Sequence, residues 1–307
     1  MSNILEVNQV TKQYGNYTAL NNVSITIPKG SIYGLLGPNG AGKTSLIRII
    51  NQITMPDSGS VLLDGEKLKP EHVSCIGYMP EERGLYKSMK VGEQALYLAQ
   101  LKGMSKNDAQ KQLKYWFEKL DIQEWWNKKI EELSKGMAQK VQFVVTVLHK
   151  PKLLIFDEPF SGFDPVNANI IKDEILELKQ NGATIIFSTH RMESVEELCD
   201  DIALIHKSNK IIEGKLSDVK RQHRSNTYEV RILTTDIEGL MYQLTQKFKV
   251  TQTNFKSLND DLKLEVSLEK STSNELIRLL MQNGNVTHFV EKIPSVNEIF
   301  IKTVQGM

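Results

Sequence analysis

Hydrophobic and polar positions in the N-terminal part of the chain predict several strands and one early helix. Apolar, β-branched runs bounded by polar turns predict strands over residues 4–10, 23–27, 31–36 and 60–63. One helical apolar face, at i, i+1, i+3 and i+4 spacing, consists of Leu46, Ile47, Ile49 and Ile50. The third strand and this helix are separated by a glycine-rich loop.

The pattern changes to helical spacing over residues 91–149, where strand signals are nearly absent. Strand character then returns, with a helix predicted over residues 169–180. The returning strands are predicted over residues 152–156, 183–188, 202–206 and 210–212. Strands that alternate with helices predict a largely parallel sheet, so the first part of the chain is expected to be α/β with a helical subdomain at about 87–150.

A polar and basic stretch, residues 214–226, separates this part from a second pattern. Strands are predicted over residues 227–233, 249–255, 262–268 and 286–292. Helices are predicted over residues 237–247, 273–282 and 296–304. The order βαββαβ is typical of a ferredoxin-like α+β domain. The expected organisation is therefore a domain over 1–218, a linker over 219–226 and an accessory domain over 227–307.

Composition narrows the class of protein. The 307 residues are 40% hydrophobic and 24% charged, with a formal net charge of +1. Such a chain is expected to fold, and its charge balance favours no nucleic-acid partner. Cys75 and Cys199 lie far apart in the sequence and are expected to be free thiols in a reducing cytoplasm. Apolar runs such as 141–148 are shorter than the ~20 residues of a membrane span, and the N-terminus does not read as a signal peptide.

The glycine-rich loop carries phosphate-binding chemistry. It consists of Gly37, Pro38, Asn39, Gly40, Ala41, Gly42, Lys43, Thr44 and Ser45. Glycines at these spacings let backbone amides converge on an anion, and the amides at the start of the following helix face the same point. Lys43 supplies a positive charge for the β- and γ-phosphates, and the Thr44 hydroxyl is a ligand suited to Mg²⁺. The sequence therefore predicts an ATP site with Mg²⁺.

An acidic pair, Asp157 and Glu158, ends the predicted buried strand at 152–156. In α/β sheets ligands bind at the carboxyl ends of strands, which would place both side chains at the nucleotide. Asp157 is expected to hold Mg²⁺, and Glu158 is expected to polarise the attacking water. Taken alone, the pair could also be two acids in a loop after a core strand.

The run Leu133-Ser134-Lys135-Gly136-Met137 resembles the signature motif of the ATP-binding cassette (ABC) ATPases, and it lies between the loop and the acidic pair as in that family. The resemblance implies that Ser134 and Gly136 bind the γ-phosphate held on a second cassette. Without the resemblance, Ser134 also reads as an ordinary helix cap.

Three further positions follow the family's order. Residues 161–164 resemble the loop that crosses the dimer seam, which gives Asp164 a place at the nucleotide. Residues 188–190 resemble the switch region, which implies that His190 contacts the γ-phosphate. Tyr14 resembles the aromatic residue that stacks on adenine.

This sequence also departs from the family. Glu81 stands where a Gln is usual, and it is expected to be a ligand of Mg²⁺ that adds negative charge near ATP. Lys135 and Met137 replace a Gly and a Gln. The run 77–86, which includes Arg83, resembles a subgroup of bacterial exporter ATPases of the sodium-extrusion type.

The resemblance implies an ATP-binding and ATP-hydrolysing subunit of an ABC transporter, with an exporter as the expected type. It implies a second cassette, with a homodimer expected, and a separate transmembrane permease that holds the chain at the inner face of the cell membrane. Two alternatives remain open from the sequence: a soluble ABC ATPase without a membrane partner, and a regulatory module that binds ATP without turnover.

Overall fold

The apolar runs predicted as strands near the N-terminus form strands of two sheets, one mostly parallel and one antiparallel. The structure is a computed structural model that describes residues 2–82, 84–253, 261–269 and 271–305. The chain divides into two units, Met1–Leu216 and Ser217–Met307. In the described residues the first unit contains two sheets and the second contains one, and each unit has its own apolar core.

Strands and helices alternate along the first unit. Its strands are β1 (Asn3–Tyr14), β2 (Tyr17–Pro28), β3 (Ile32–Leu36), β4 (Ser58–Leu63), β5 (Glu66–Lys67), β6 (Ile76–Met79), β7 (Leu153–Asp157), β8 (Thr184–Thr189), β9 (Asp201–His206) and β10 (Asn209–Lys215). Its helices are α1 (Lys43–Ile50), α2 (Val91–Leu101), α3 (Lys106–Lys119), α4 (Lys135–Val147), α5 (Pro165–Gln180) and α6 (Met192–Leu198). Helix α7 (Leu216–Gln222) begins at the last residue of this unit.

The central sheet has the strand order β10-β9-β3-β8-β7-β6. The five strands from β9 to β6 are parallel to their neighbours, and β10 pairs antiparallel with β9. Every residue of β3, β7 and β8 is buried, as expected for parallel strands covered on both faces. Because these strands run the same way, the loops that follow them meet at one edge of the sheet.

A second, antiparallel sheet has the order β2-β1-β4-β5. One apolar cluster joins residues of β1, β2 and β4 to residues of α1 and of the central strands. The predicted apolar face of α1 is buried in this cluster. This packing holds the N-terminus of α1 at the end of β3, where the glycine-rich loop lies.

Between β6 and β7 the regular elements of the described residues are helices, and one isolated β-bridge joins Lys90 to Lys129. Phe143 of α4 lies between Trp116 of α3 and Phe156 of β7, with ring centroids 5.9 and 5.7 Å apart. Lys119 at the end of α3 places its Nζ 2.6 Å from Oε2 of Glu174 on α5. These aromatic and ionic contacts fasten the helical segment to the central sheet and to α5.

His149, just after α4, gives the first unit a pH dependence. Burial, and then the neighbouring Lys102 ammonium, lower the pKa of His149 from its ordinary 6.5 to about 4. Between about pH 6.5 and pH 4, the unfolded chain therefore binds a proton at His149 that the folded chain does not bind. The free energy of unfolding falls as the pH drops through this range. We expect a His149→Gln variant to lose about 1–2 kcal/mol less stability than the parent between pH 7 and pH 5.

Urea unfolding of the full chain at the two pH values measures this difference. Equal losses in the parent and in His149→Gln would contradict the assignment of the pH dependence to His149.

The second unit has the predicted order of elements. They are β11 (Thr227–Leu233), α8 (Ile237–Thr245), β12 (Lys249–Gln252), β13 (Leu262–Ser267), α9 (Ser273–Asn283), β14 (Asn285–Glu291) and α10 (Val296–Gln305). The antiparallel sheet has the order β12-β13-β11-β14, so each pair of strands joined by a helix has another strand between them. This is the split arrangement of a ferredoxin-like domain. Inward-facing residues of β11 and β13 pack on α8 and α9.

Some boundaries differ from the prediction for local reasons. Helix α5 begins at Pro165, four residues early, because the Asp164 carboxylate caps its first turn and proline suits that position. Strand β2 begins at Tyr17, where a tight hairpin pairs it with Tyr14. The strand predicted over 249–255 is described as Lys249–Gln252; residues 254 and 255, like Arg83, lie outside the described residues. The first part of the stretch predicted as a linker is helix α7.

Candidate functional site

The glycine-rich loop connects β3 to α1, and its backbone requires glycine at two positions. Gly37 and Gly42 have φ values of 146° and 116°. A Cβ on Gly37 would lie 2.1 Å from the Ile205 carbonyl oxygen, and one on Gly42 would lie 2.3 Å from that of Ala19. Neither backbone position has room for a side chain.

Lys43, the first residue of α1, is buried, with only 7% of its surface exposed. Its Nζ donates hydrogen bonds to the carbonyl oxygens of Gly37 at 2.7 Å and Pro38 at 3.2 Å. Burial lowers the pKa of Lys43, and the nearby carboxylates, Glu158 first, act in the opposite direction. A buried ammonium with two carbonyl partners is a charge that a phosphate group would pair with strongly.

A cavity of about 280 Å³ lies over the loop. Its lining residues are Tyr17, Asn39, Gly40, Ala41, Gly42, Lys43, Thr44, Ser45, Glu81, Asp157 and Glu158. The structure thus brings together three parts of the sequence that were predicted separately: the phosphate loop, the acidic pair and Glu81. Gly37 and Pro38 contact this group through Lys43.

The cavity offers hard oxygen ligands suited to Mg²⁺. Thr44 lies in the first turn of helix α1, Asp157 ends β7, and Glu81 lies just beyond β6. Burial raises the pKa of the Asp157 carboxyl, and the adjacent Glu158 acts in the same direction. No three His, Cys, Asp or Glu side chains in the described ranges are placed to hold a metal by themselves. A magnesium ion here would therefore need the Thr44 hydroxyl and phosphate oxygens as well, which is how Mg²⁺ is usually bound.

Glu158 and His190 meet because β7 and β8 are parallel neighbours, with Asp157 paired to Ser188. Oε1 of Glu158 accepts a hydrogen bond from the His190 backbone N–H at 2.8 Å and lies 2.6 Å from its Nδ1. Oε2 accepts one from the Thr189 hydroxyl at 3.1 Å. The predicted base and the predicted switch histidine are thus in direct contact, and sequence reasoning missed Thr189.

The segment that resembles the signature motif lies at the start of α4. Ser134 caps this helix, and its Oγ accepts a hydrogen bond from the Met137 backbone N–H at 3.2 Å. Gly136 lies in the first turn, so both predicted residues sit at a helix N-terminus. Neither of them lines the cavity over Lys43. Lys135 lies with its aliphatic stem against Gly162, where an added Cβ would come within 2.6 Å of its Cε.

Helix α4 also forms hydrogen bonds to two loops of the site, the one after β6 that contains Glu81 and the one after β7 that contains Glu158. The Gln142 side-chain amide donates to the Pro80 carbonyl at 2.9 Å, one residue before Glu81. The Gln139 amide donates to the Pro159 carbonyl at 3.0 Å, one residue after Glu158. Both glutamines are buried, so the two loops are fixed to the helix that begins at the signature segment. No sequence signal pointed to either glutamine.

Two predicted nucleotide residues are placed away from the cavity lining. Asp164 caps α5, accepting hydrogen bonds from the backbone N–H groups of Val166 and Asn167, each at 3.0 Å. Tyr14 is 44% exposed, and its ring lies 5.4 Å from the Lys12 ammonium. Its partner across the hairpin, Tyr17, lines the cavity instead and donates to the Gly40 carbonyl at 2.6 Å.

The fold and the site together define a P-loop nucleotide-binding protein of the α/β class. Residues 20–161 match the family described as ABC transporter, and residues 214–304 match the family described as ATP-binding protein DrrA1-3-like, C-terminal domain. Residues 129–196, which overlap the first match, also match the family described as AAA domain, putative AbiEii toxin, Type IV TA system.

Individual relatives agree with the first match. The chain is 41% identical over 301 residues to the uncharacterized ABC transporter ATP-binding protein YhaQ of Bacillus subtilis (strain 168), with 98% of each chain covered. It is 34% identical over 232 residues to the bacitracin transport ATP-binding protein BcrA of Enterococcus faecalis, with 74% of each covered. A solved structure of an ATP-binding subunit of an ABC transporter is 31% identical, with a TM-score of 0.67, and the match covers 72% of this chain and 93% of that one.

The chain belongs to the ATP-binding proteins of ABC transporters. The resemblance and the cassette fold predicted from the sequence are thereby confirmed.

Proposed function

We propose that the chain hydrolyses Mg²⁺-bound ATP and, as a pair of cassettes, drives a separate membrane subunit in export. One observation carries the hydrolytic part of this proposal. Glu158, in contact with His190, lines the same cavity as Lys43 and Asp157. A carboxylate placed beside a phosphate-binding lysine and a candidate metal ligand has the position of a general base for water.

The residues divide the chemical work as follows. The loop amides and Lys43 bind the β- and γ-phosphates and hold them against the start of α1. Bound Mg²⁺ would neutralise phosphate charge, with Thr44, Asp157 and Glu81 as its protein ligands. Glu158 accepts a proton from the attacking water. His190, whose side chain is 55% exposed, would turn from Glu158 toward the γ-phosphate.

A second copy of the chain would complete the site. Ser134 and Gly136 form an anion-binding helix N-terminus that does not line the cavity of their own chain. Facing the γ-phosphate bound on another copy, each N-terminus would close one site, so that two ATP molecules lie at the seam. Asp164 and Tyr14 keep their predicted nucleotide roles in this closed state as part of the proposal.

The two glutamines of α4 supply a route for the coupling. Gln142 ties this helix to the loop before Glu81, and Gln139 ties it to the loop after Glu158. A shift of α4 on closure of the pair would move both loops together. The helical segment and the Glu81 loop would then pass this motion to the membrane subunit.

We propose that the membrane subunit is a separate chain. None of the helices in the described ranges combines the length and apolar character that a membrane crossing needs. We infer a position at the inner face of the cell membrane, bound to a permease. The name of the bacitracin transport relative and the DrrA-like C-terminal match support an exporter.

The full-length chain, purified and mixed with Mg²⁺ and ATP, should release phosphate, and chelation of Mg²⁺ by EDTA should reduce the rate to background. The reason is that Mg²⁺ would need phosphate oxygens in addition to its protein ligands, so metal and nucleotide would bind together. Phosphate release is measured under steady-state and single-turnover conditions. A chain that binds ATP but releases no phosphate in either would favour a regulatory module instead.

The membrane partner needs a separate experiment. Extracted in mild detergent from its own cells, the chain should copurify with a protein that has several apolar spans, and its phosphate release should respond to that protein. Recovery of active chain only from the soluble fraction would favour the uncoupled ABC ATPase.

A further inference from the structure

The two oxygens of the Glu158 carboxylate are held differently. Oε1 has two contacts with one residue, the backbone N–H and the ring Nδ1 of His190. Within the described part of the chain, Oε2 accepts a hydrogen bond from one donor, the Thr189 hydroxyl. The orientation of the carboxylate therefore depends on two consecutive residues at the end of β8.

The Thr189 hydroxyl has a defined direction. Its Oγ1 accepts a hydrogen bond from the Arg191 backbone N–H at 3.0 Å, which leaves its own hydrogen to point at Glu158. Thr189 is only 2% exposed, and its β-branched side chain has few accessible rotamers. Its backbone pairs with Leu36, the residue directly before the phosphate loop. The hydroxyl is thus anchored to the same strand that positions Gly37.

Glu158 needs such a support because of its backbone. Its φ of 50° is in the left-handed region that a glutamate rarely adopts. Its N–H donates to the Ser188 carbonyl at 2.9 Å, which ties this unusual turn to the strand that carries Thr189. An unusual backbone conformation of this kind persists only where the surrounding structure holds it in place. Such conformations are common at catalytic positions.

His190 cannot keep the carboxylate in place throughout the reaction. Its side chain is more than half exposed, and in the proposed function it turns toward the γ-phosphate, which breaks the contact of its ring with Oε1. The buried Thr189 hydroxyl and the His190 backbone N–H would remain. One donor on each oxygen is then enough to keep the carboxylate plane fixed.

We propose that Thr189 is a positioning residue for the reaction, whose hydroxyl holds the Glu158 carboxylate toward the attacking water while the His190 ring moves. This inference rests on the proposed hydrolysis of ATP. Under this proposal, loss of the Thr189 hydroxyl slows the chemical step but leaves nucleotide binding unchanged. The reason is that this hydroxyl contacts Glu158 and Arg191 and no residue of the phosphate loop.

The test compares Thr189→Val and Thr189→Ser with Thr184→Val in the full-length chain. Thr184 is a matched control: it lies on the same strand, is also 2% exposed, and its hydroxyl accepts a hydrogen bond from the Gly30 N–H away from the site. We expect Thr189→Val to lower kcat for ATP hydrolysis about 10- to 100-fold, the loss typical of one hydrogen bond to a charged group, with KM within about twofold. Thr189→Ser should keep at least about half of the parental kcat, and Thr184→Val should leave kcat unchanged.

A double variant shows whether the effect runs through the carboxylate. In a Glu158→Gln background, measured by single turnover, Thr189→Val should cause no further loss, because interacting residues are not additive. Thermal melting of all variants corrects for differences in stability.

Three results would overturn the proposal. They are an unchanged kcat in Thr189→Val, an equal fall of kcat in Thr184→Val, and a full additional loss in the double variant. If instead Glu158→Gln alone hydrolyses ATP at the parental rate, the base assignment in the proposed function fails as well. The two failures are therefore distinguishable.

Discussion

Glu158→Gln should bind ATP as the parent does, hydrolyse it at least about 100-fold more slowly, and accumulate as a closed dimer. Loss of a general base typically costs a factor of 10² to 10⁴, while the amide keeps the size of the side chain. The phosphate loop and Lys43 are untouched, so binding persists. Without loss of the γ-phosphate, the contacts that close the pair persist too.

Phosphate release and light scattering after gel filtration with Mg²⁺ and ATP measure the two effects. Glu174→Gln is the matched control, because Glu174 is as buried as Glu158, with 8% against 7% of its surface exposed, and lies on α5 outside the cavity lining. It should hydrolyse ATP at the parental rate and form no trapped dimer. Parental hydrolysis by Glu158→Gln would refute the assignment of the base.

Lys43→Met should weaken ATP binding about 100-fold or more and abolish measurable hydrolysis at ordinary ATP concentrations. Among the described residues that line the cavity, Lys43 carries the positive charge. Charge-assisted hydrogen bonds to phosphate are among the strongest in proteins. Methionine fills the same space with an uncharged chain. Isothermal titration with ATP measures the affinity, and a thermal melt shows that the fold is kept.

Lys102→Met separates this effect from a general loss of buried lysine. Lys102 also donates two hydrogen bonds to backbone carbonyls, those of Val73 at 2.8 Å and Ile76 at 2.9 Å, and burial lowers the pKa of Lys102 as it does that of Lys43. It lies outside the cavity, so its variant should bind ATP like the parent. Equal affinity in the parent and in Lys43→Met would remove Lys43 from the phosphate site.

Local sequence was enough to predict the phosphate loop. Gly37, Gly42 and Lys43 are close in the chain, and the strand before them and the helix after them have strong patterns of their own. The residue types alone therefore predicted both the loop and its ligand. The acidic pair was predicted for a similar reason, since a buried strand that ends in Asp157 must place its last residues at an edge of the sheet.

Contacts between segments that are distant in the chain could not be predicted from the pattern of hydrophobic and polar residues. Glu158 and Thr189 meet because β7 pairs with β8, and the strand order is a property of the whole sheet. Gln142 and Pro80 meet because α4 packs under the loop after β6. Short-range periodicity carries no information on such pairings, because each segment would show the same pattern in any order of strands.

The sequence by itself determined the class of fold and the order of elements in the second unit, and it predicted the residues that would bind phosphate. Only the tertiary structure decided that Tyr17 rather than Tyr14 lines the cavity, that Thr189 holds the second oxygen of Glu158, and that Ser134 lies outside the cavity of its own chain. The physical reason is the range of the interactions. Turns, helices and glycine-rich loops follow from neighbours in the chain, whereas the orientation of one carboxylate follows from strands that are adjacent in space and about 30 residues apart in sequence.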